Sequence, residues 1–124
     1  MKRIYDWDAQ FCLRNYTAAD LLALKGVRKL TQTTANSEEE AAAAAAAGID
    51  LIMGNAVNAE AVRCGAPNHF YTAAIPMPDH PTEKDVLEAA FLAMKRGAAS
   101  IYTARWPHVV ELLAREHIPV LRQL

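Results

Sequence analysis

Short apolar runs alternate with segments of helical periodicity from residue 16 onward. The runs begin near residues 30, 49, 69, 99 and 118, and each has the length of a buried strand. Between them, apolar residues recur at helical spacing, most clearly Leu87, Phe91 and Met94. This alternation predicts repeated βα units and a parallel sheet.

Helix start and stop signals support the same division. Three helices are predicted to begin at a hydroxyl residue followed three positions later by a carboxylate, which is the spacing of a capping box. Glycines at positions 26, 48 and 97 follow these helices, where a left-handed stop is expected. Seven alanines at 41–47 are strong helix formers. The capping pairs are Thr17 with Asp20, Ser37 with Glu40, and Thr82 with Asp85.

The remaining segments complete one domain. A short helix is predicted over residues 57–64, and Pro107 begins the last helix. Three prolines make 76–81 a loop. Residues 1–15 show no clear pattern, so we expect a single α/β domain over 1–124, with an N-terminal extension at 1–15 and the repeats at 16–124. Two architectures fit the repeats: an open doubly wound sheet, or half of a (βα)8 barrel.

Composition narrows the class of protein. The net charge of −1 and the 52% of hydrophobic residues predict a globular protein without a nucleic-acid-binding surface. Cys12 and Cys64 lack metal-ligand spacing and indicate reduced thiols. No apolar run has the length of a membrane span, and no signal-peptide core follows Met1. We therefore expect a cytoplasmic protein that binds neither membrane nor nucleic acid.

The amino-acid sequences of several segments resemble those of one enzyme family. Residues 16–26 (YTAADLLALKG) are similar to the helix before the barrel in ketopantoate hydroxymethyltransferases. Residues 28–35 (RKLTQTTA) and 47–54 (AGIDLIMG) resemble the first two strands of that family. The match continues in order through 61–67, 96–99 and 117–120, so that it covers about residues 13 to 121, the N-terminal half of the family.

The resemblance implies a fold and a reaction. The family members are TIM barrels of the phosphoenolpyruvate/pyruvate-binding type, so this chain would correspond to a half barrel with a helix before strand 1. They transfer a hydroxymethyl group from methylenetetrahydrofolate to 2-oxoisovalerate in pantothenate biosynthesis. A divalent metal, usually Mg²⁺, binds the 2-oxo acid. Both Mg²⁺ and the folate are implied here by the family alone.

The chain departs from the family at the strand ends that carry metal chemistry. Where the family has Gly-Asp-Ser, this chain has Gly-Asn-Ala at 54–56. Where the family has Ala-Asp-Leu-Pro, it has Ala-Ala-Ile-Pro at 73–76. Where the family has Lys-x-Glu, it has Tyr-Thr-Ala at 102–104. A long segment after strand two and the half that supplies the general base are missing. Because Mg²⁺ needs carboxylate ligands, we predict no metal site and the loss of the family reaction.

These comparisons define a candidate pocket and three hypotheses. The first is a ketopantoate-hydroxymethyltransferase-like protein without that activity, serving as a binding or assembly module. The second is a working transferase or lyase on a small 2-oxo acid with substitute ligands. The third is an N-terminal fragment of a longer enzyme. Catalytic residues are not identified; the candidate pocket consists of Asn55, Ala74, Asp79, His80, Tyr102, Ala104 and Arg105.

A half barrel also predicts association. Its first and last strands are edges with unpaired backbone groups, and its inner face is apolar and uncovered. Either helices cover both faces of an open sheet, or a second copy covers the inner face. We expect a homo-oligomer.

Overall fold

The computed structural model describes residues 1–122. A β-hairpin and a short helix precede a sheet whose strands alternate with helices. Single 3-10 turns at Ala56–Asn58 and Met77–Asp79 follow β4 and β5. The elements are β1 (Lys2–Tyr5), β2 (Phe11–Arg14), α1 (Ala18–Leu24), β3 (Gln32–Thr34), α2 (Glu38–Ala46), β4 (Leu51–Asn55), α3 (Ala59–Gly65), β5 (Phe70–Ala74), α4 (Glu83–Lys95), β6 (Ser100–Thr103), α5 (Pro107–Arg115) and β7 (Val120–Arg122).

The main sheet is parallel and its strands follow chain order. Its order is β3-β4-β5-β6-β7, with every neighbouring pair parallel. The predicted βα alternation is therefore confirmed. The order has no reversal of the kind that places helices on both faces of a doubly wound sheet. Right-handed crossovers in one constant direction place the connecting helices on one face.

The core lies between that helix layer and the sheet. Ile52, Ala73 and Ile101 are fully buried and share one face of the sheet, since side chains alternate along a strand. They pack in one cluster with residues of four helices, among them Ala44, Val62, Ala90 and Leu113. At β5, in the middle of the sheet, both faces are covered, since the first four of its five residues are buried.

The N-terminal segment forms an antiparallel hairpin that the sequence pattern does not predict. β1 pairs with β2, with Tyr5 opposite Phe11. Trp7, in the connecting turn, donates from Nε1 to the carbonyl oxygen of Glu116 at 2.9 Å and packs on Phe91 with ring centroids 5.7 Å apart. The segment predicted as an extension is therefore attached to α4 and to the end of α5.

Helix starts follow the predicted capping pairs, with one difference. Reciprocal capping boxes begin α1 at Thr17 and α4 at Thr82. At α2, Ser37 accepts from the Glu40 N–H as predicted, but the Glu40 carboxylate accepts from the N–H of Asn36 at 2.9 Å instead of that of Ser37. The Glu40 side chain thus holds the residue before the cap.

Helices α2 and α3 are in close contact because both present small residues. Ala41 is fully buried on α2. A Cβ at Gly65 would lie 2.1 Å from the carbonyl oxygen of Glu38 and 3.0 Å from the Cβ of Ala41. No side chain fits at position 65 unless the helices move apart.

The carboxylate of Asp50 joins three segments at the amino end of β4. It accepts from the Thr31 N–H at 3.0 Å and the Thr31 hydroxyl at 3.1 Å through Oδ2, and from the Tyr16 hydroxyl at 3.3 Å through Oδ1. Hydrogen bonds from Thr31 lower the pKa of Asp50, with smaller contributions from Tyr16 and from Arg28. The ionised carboxylate therefore stabilises the junction of β3, β4 and the chain before α1.

Substituting Gly65 tests the close contact of α2 and α3. We expect Gly65→Ala to lower the free energy of unfolding by about 1–3 kcal/mol, because the added methyl group meets backbone of α2. Ala43→Ser, which adds one atom to the exposed face of α2, should change it by less than about 0.5 kcal/mol. Urea unfolding measures both. Equal stabilities of the two variants would contradict the packing described here.

Substituting Asp50 tests the acid-sensitive junction. At neutral pH, Asp50→Asn should lower the free energy of unfolding by about 1–2 kcal/mol, since hydrogen bonds to a charged acceptor are lost. The pKa of Asp50 is lower in the folded state than its ordinary value of 3.8. Its contribution is therefore present above pH 3.8 and is lost as the pH falls through the folded pKa.

The measurement is urea unfolding of wild type and variant between pH 7 and pH 2.5. The difference between them should be constant at higher pH and should shrink below about pH 4. Asp8→Asn, at an exposed turn position, serves as the control and should show no such change. A wild-type to Asp50→Asn difference that stays constant across the range would overturn this assignment.

Candidate functional site

Three of the predicted pocket residues form one row at the carboxyl ends of the central strands. Asn55, Ala74 and Tyr102 are direct neighbours in register on β4, β5 and β6. Because side chains alternate, this row lies on the face opposite the buried Ile52 and Ala73. All three are partly exposed. These three strand-end positions therefore lie side by side on one face of the sheet.

An asparagine cluster holds the end of β4. Asn55 accepts from the Val57 N–H through Oδ1 at 3.1 Å, which caps the 3-10 turn. Its own N–H donates to Oδ1 of Asn36 at 2.7 Å, and Asn58 Nδ2 donates to the same oxygen at 3.2 Å. The side-chain oxygen of Asn55 thus has a structural partner already.

Asn36, Asn58 and Tyr71, which hold this strand end, were not among the predicted site residues. Asn36 lies two residues after the end of β3. Ligand-binding groups of a parallel sheet gather at such strand ends, and this position could have identified it. Tyr71 donates its hydroxyl hydrogen to the carbonyl oxygen of Asn55 at 2.8 Å. Burial raises the pKa of Tyr71, so that the phenol remains a neutral donor.

Gly54 allows the ends of β3 and β4 to meet. A Cβ at this position would lie 2.2 Å from the carbonyl oxygen of Ala35 and 2.8 Å from the Tyr71 hydroxyl oxygen. The backbone of the neighbouring segment occupies the space of a side chain. The glycine therefore positions the asparagine cluster.

A pair of hydroxyl side chains lies on the same face as the row, two residues earlier along β5 and β6. Thr72 and Ser100 are opposite each other in register, and their hydroxyl oxygens are 2.7 Å apart. Both residues are buried, with 2% of their surface exposed. The pair satisfies two buried polar groups between β5 and β6. Strand alternation places these residues, but their burial was not predicted.

The other predicted residues lie in two loops: Asp79 and His80 follow β5, and Ala104 and Arg105 follow β6. Arg105 donates from Nη2 to the carbonyl oxygen of His80 at 2.7 Å, while its N–H donates to the Thr103 hydroxyl at 3.1 Å. His80 contacts the carbonyl oxygen of Pro76 through Nδ1 at 3.0 Å. Arg105 thus links the end of β6 to the loop at 76–81.

Asp79 and His80 face α4. They line a cavity of about 260 Å³ together with Asp85, Glu88 and Arg96. Asp85 is committed to the Thr82 cap, and its hydrogen bonds with Thr82 lower its pKa. Ala56 and Val57, which directly follow Asn55, also line this cavity, whereas the three residues of the row do not. Ala104 lies exposed beyond the end of β6.

The row offers neutral hydrogen-bonding groups and a methyl group. Asn55 supplies an amide, Tyr102 a phenol, and Ala74 a half-buried methyl between them. Within residues 1–122, no group of three or more His, Cys, Asp or Glu side chains could hold a metal ion. In the same range, no helix is long and apolar enough to cross a membrane.

Comparison with other proteins adds no assignment. No protein-family model matches the chain, and no curated protein matches it either.

Proposed function

We propose that this chain is a ketopantoate-hydroxymethyltransferase-like protein that serves as a binding or assembly module and does not transfer hydroxymethyl groups. The observation that carries the proposal is the row Asn55, Ala74 and Tyr102, which occupies the strand ends without a carboxylate. The resemblance in sequence supplies the family, and the chemistry of the row argues against its reaction.

The strand order supports a barrel-type fold. In a (βα)8 barrel each strand pairs with the next one in the chain, and all helices lie outside. The order β3-β4-β5-β6-β7 has this property over five consecutive strands. Helix α1, before the sheet, also stands where the family resemblance expects a helix.

The chemistry of the row argues against metal-assisted enolisation. Mg²⁺ binds through oxygen ligands, and charged carboxylates supply most of its affinity in proteins. The Asn55 oxygen is neutral and already accepts from Val57. Ala74 supplies no ligand. A 2-oxo acid bound here would find no metal to stabilise its enolate.

Restoring the carboxylates tests the proposal. We expect wild-type protein to show no Mn²⁺ or Mg²⁺ binding at micromolar affinity by calorimetry, and no hydroxymethyl transfer from methylenetetrahydrofolate to 2-oxoisovalerate. Asn55→Asp combined with Ala74→Asp should raise Mn²⁺ affinity at least about tenfold, because two adjacent charged oxygens replace neutral groups.

The matched control is Asn55→Asp with Ala74→Asn, which has the same shape at position 74 and one charge fewer. Its gain should be smaller than that of the double aspartate. Micromolar metal binding by wild type, with thermal stabilisation by 2-oxoisovalerate, would contradict the proposal. That result would favour a working enzyme that uses Asn55, Asp79, His80, Tyr102 and Arg105.

Self-association of two copies is the second part of the proposal. β3 and β7 are edge strands of the described sheet. An apolar surface adjoins β7: Leu22 of α1 is 75% exposed, Leu121 is 44% exposed, and both line a cavity of about 260 Å³ with Phe70 and Pro119. Exposed apolar surface beside a free edge favours a protein partner.

A charge placed in this surface tests the association. We expect the wild-type protein to sediment as a dimer at micromolar concentration, and Leu22→Lys to sediment as a monomer with its fold intact, since the side chain already lies in solvent. Val57→Lys, at a 65% exposed apolar position beyond β4, is the control and should remain dimeric. A wild-type monomer at that concentration would overturn the dimer.

A further inference from the structure

Arg14 is a buried cation that forms no ion pair with a carboxylate among residues 1–122. The residue is 5% exposed at the end of β2. Its Nη2 contacts the Cys12 sulfur at 3.7 Å, and its Nε is buried without a hydrogen-bond partner in the part of the chain described. Sulfur is a weak acceptor. A buried guanidinium that lacks an anion is unfavourable, because its hydration is lost and little replaces it.

The side chain of Arg14 lines a pocket of about 250 Å³ between the hairpin and the amino ends of the strands. The walls are mainly apolar and aromatic. They include Trp7, Tyr16, Phe70, Met94 and Pro119. This volume is many times that of a single water site. The pocket therefore combines one buried guanidinium group with mainly apolar walls.

The walls of the pocket are held by contacts from several elements. Trp7 is fixed by its hydrogen bond to Glu116, and Tyr16 by its bond to Asp50. Asn15 connects the hairpin to the sheet, because its Oδ1 accepts from the N–H of Phe70 at 2.8 Å. The pocket is thus largely preformed, which favours ligand binding.

From these observations we infer that this pocket binds an organic carboxylate with an apolar body. A guanidinium pairs with a carboxylate through two parallel hydrogen bonds, which would satisfy the buried Nε or Nη groups of Arg14. The apolar walls would cover the rest of the ligand. Small-molecule sites commonly have this composition, with few polar groups in an apolar cleft.

Among the described residues, Asp6 is the one acidic side chain in the lining of this pocket. Its Oδ1 accepts from the Gln10 N–H at 2.8 Å, within the hairpin turn, and no ion pair joins it to Arg14 among the described residues. The pocket lies at the amino ends of β5 and β7, whereas the row of Asn55 and Tyr102 lies at the carboxyl ends. The inference therefore does not depend on the row, although the pocket shares Phe70 and Pro119 with the surface proposed for self-association.

Fluorescence of Trp7 measures binding directly. The chain has two tryptophans, so Trp106→Phe leaves Trp7 as the single probe in a protein that is otherwise complete. Titration with 4-methylpentanoate should give a saturable change in emission. The neutral 4-methylpentanamide, of nearly the same shape, should bind at least about tenfold more weakly because it carries no charge. Inorganic phosphate and acetate should also bind more weakly.

Two variants assign the effect to the guanidinium. Arg14→Met keeps an unbranched side chain and should abolish the preference for the acid over the amide. Arg14→Lys keeps the charge but loses the planar fork, and it should bind the acid several-fold more weakly than wild type. Circular dichroism and urea unfolding show whether each variant is folded.

Equal responses to acid and amide in the wild-type background would overturn the inference, and this comparison does not depend on the folding of any Arg14 variant. Unchanged acid binding by folded Arg14→Met would also overturn it. Phosphate binding as tight as that of the acid would show an anion site without the apolar specificity inferred here, and would reject the ligand class.

Discussion

Close approach of backbone at small residues is the constraint on which this structure depends. At Gly54 and Gly65 the carbonyl oxygen of a neighbouring segment occupies the space that a side chain would need. Alanines make up much of the buried layer between helices and sheet. The stabilisation per residue is small, because an alanine buries little apolar area, so it depends on many short contacts made together. A larger side chain at Gly54 would push β4 away from the segment after β3, and one at Gly65 would push α3 away from α2.

The same constraint shapes the carboxyl end of the sheet. With Gly54 in place, Asn36 can reach the backbone of Asn55, and Tyr71 can reach its carbonyl oxygen. The strand end is then held by neutral hydrogen bonds among amide, phenol and backbone groups. Such a network gives shape and hydrogen-bonding capacity, but it lacks the charge that a divalent cation requires.

The two ends of the sheet differ in chemical character. The carboxyl ends of β4 to β6 carry a neutral row, while the amino ends carry the buried guanidinium of Arg14 under the hairpin. Ligands of parallel sheets usually bind at the carboxyl ends. In this chain the amino ends hold a buried guanidinium, that of Arg14, which forms no ion pair with a carboxylate among residues 1–122. The hairpin that creates this pocket is held through Trp7 and Asn15, so the pocket depends on segments outside the βα repeats.

The sequence by itself determined the helices, their caps and the alternation of strands, because these depend on residues a few positions apart. Thr17 with Asp20, and Thr82 with Asp85, form the capping boxes that their spacing predicts. It also placed Asn55, Ala74 and Tyr102 at strand ends. The tertiary structure alone decided the contacts between residues far apart in the chain: the cavity that Asp79 and His80 line with α4, the hydrogen bond from Arg105 to His80, the packing of Trp7 on Phe91, and the burial of Arg14. Local patterns carry no information on such contacts, since burial and pairing arise only when distant segments pack together.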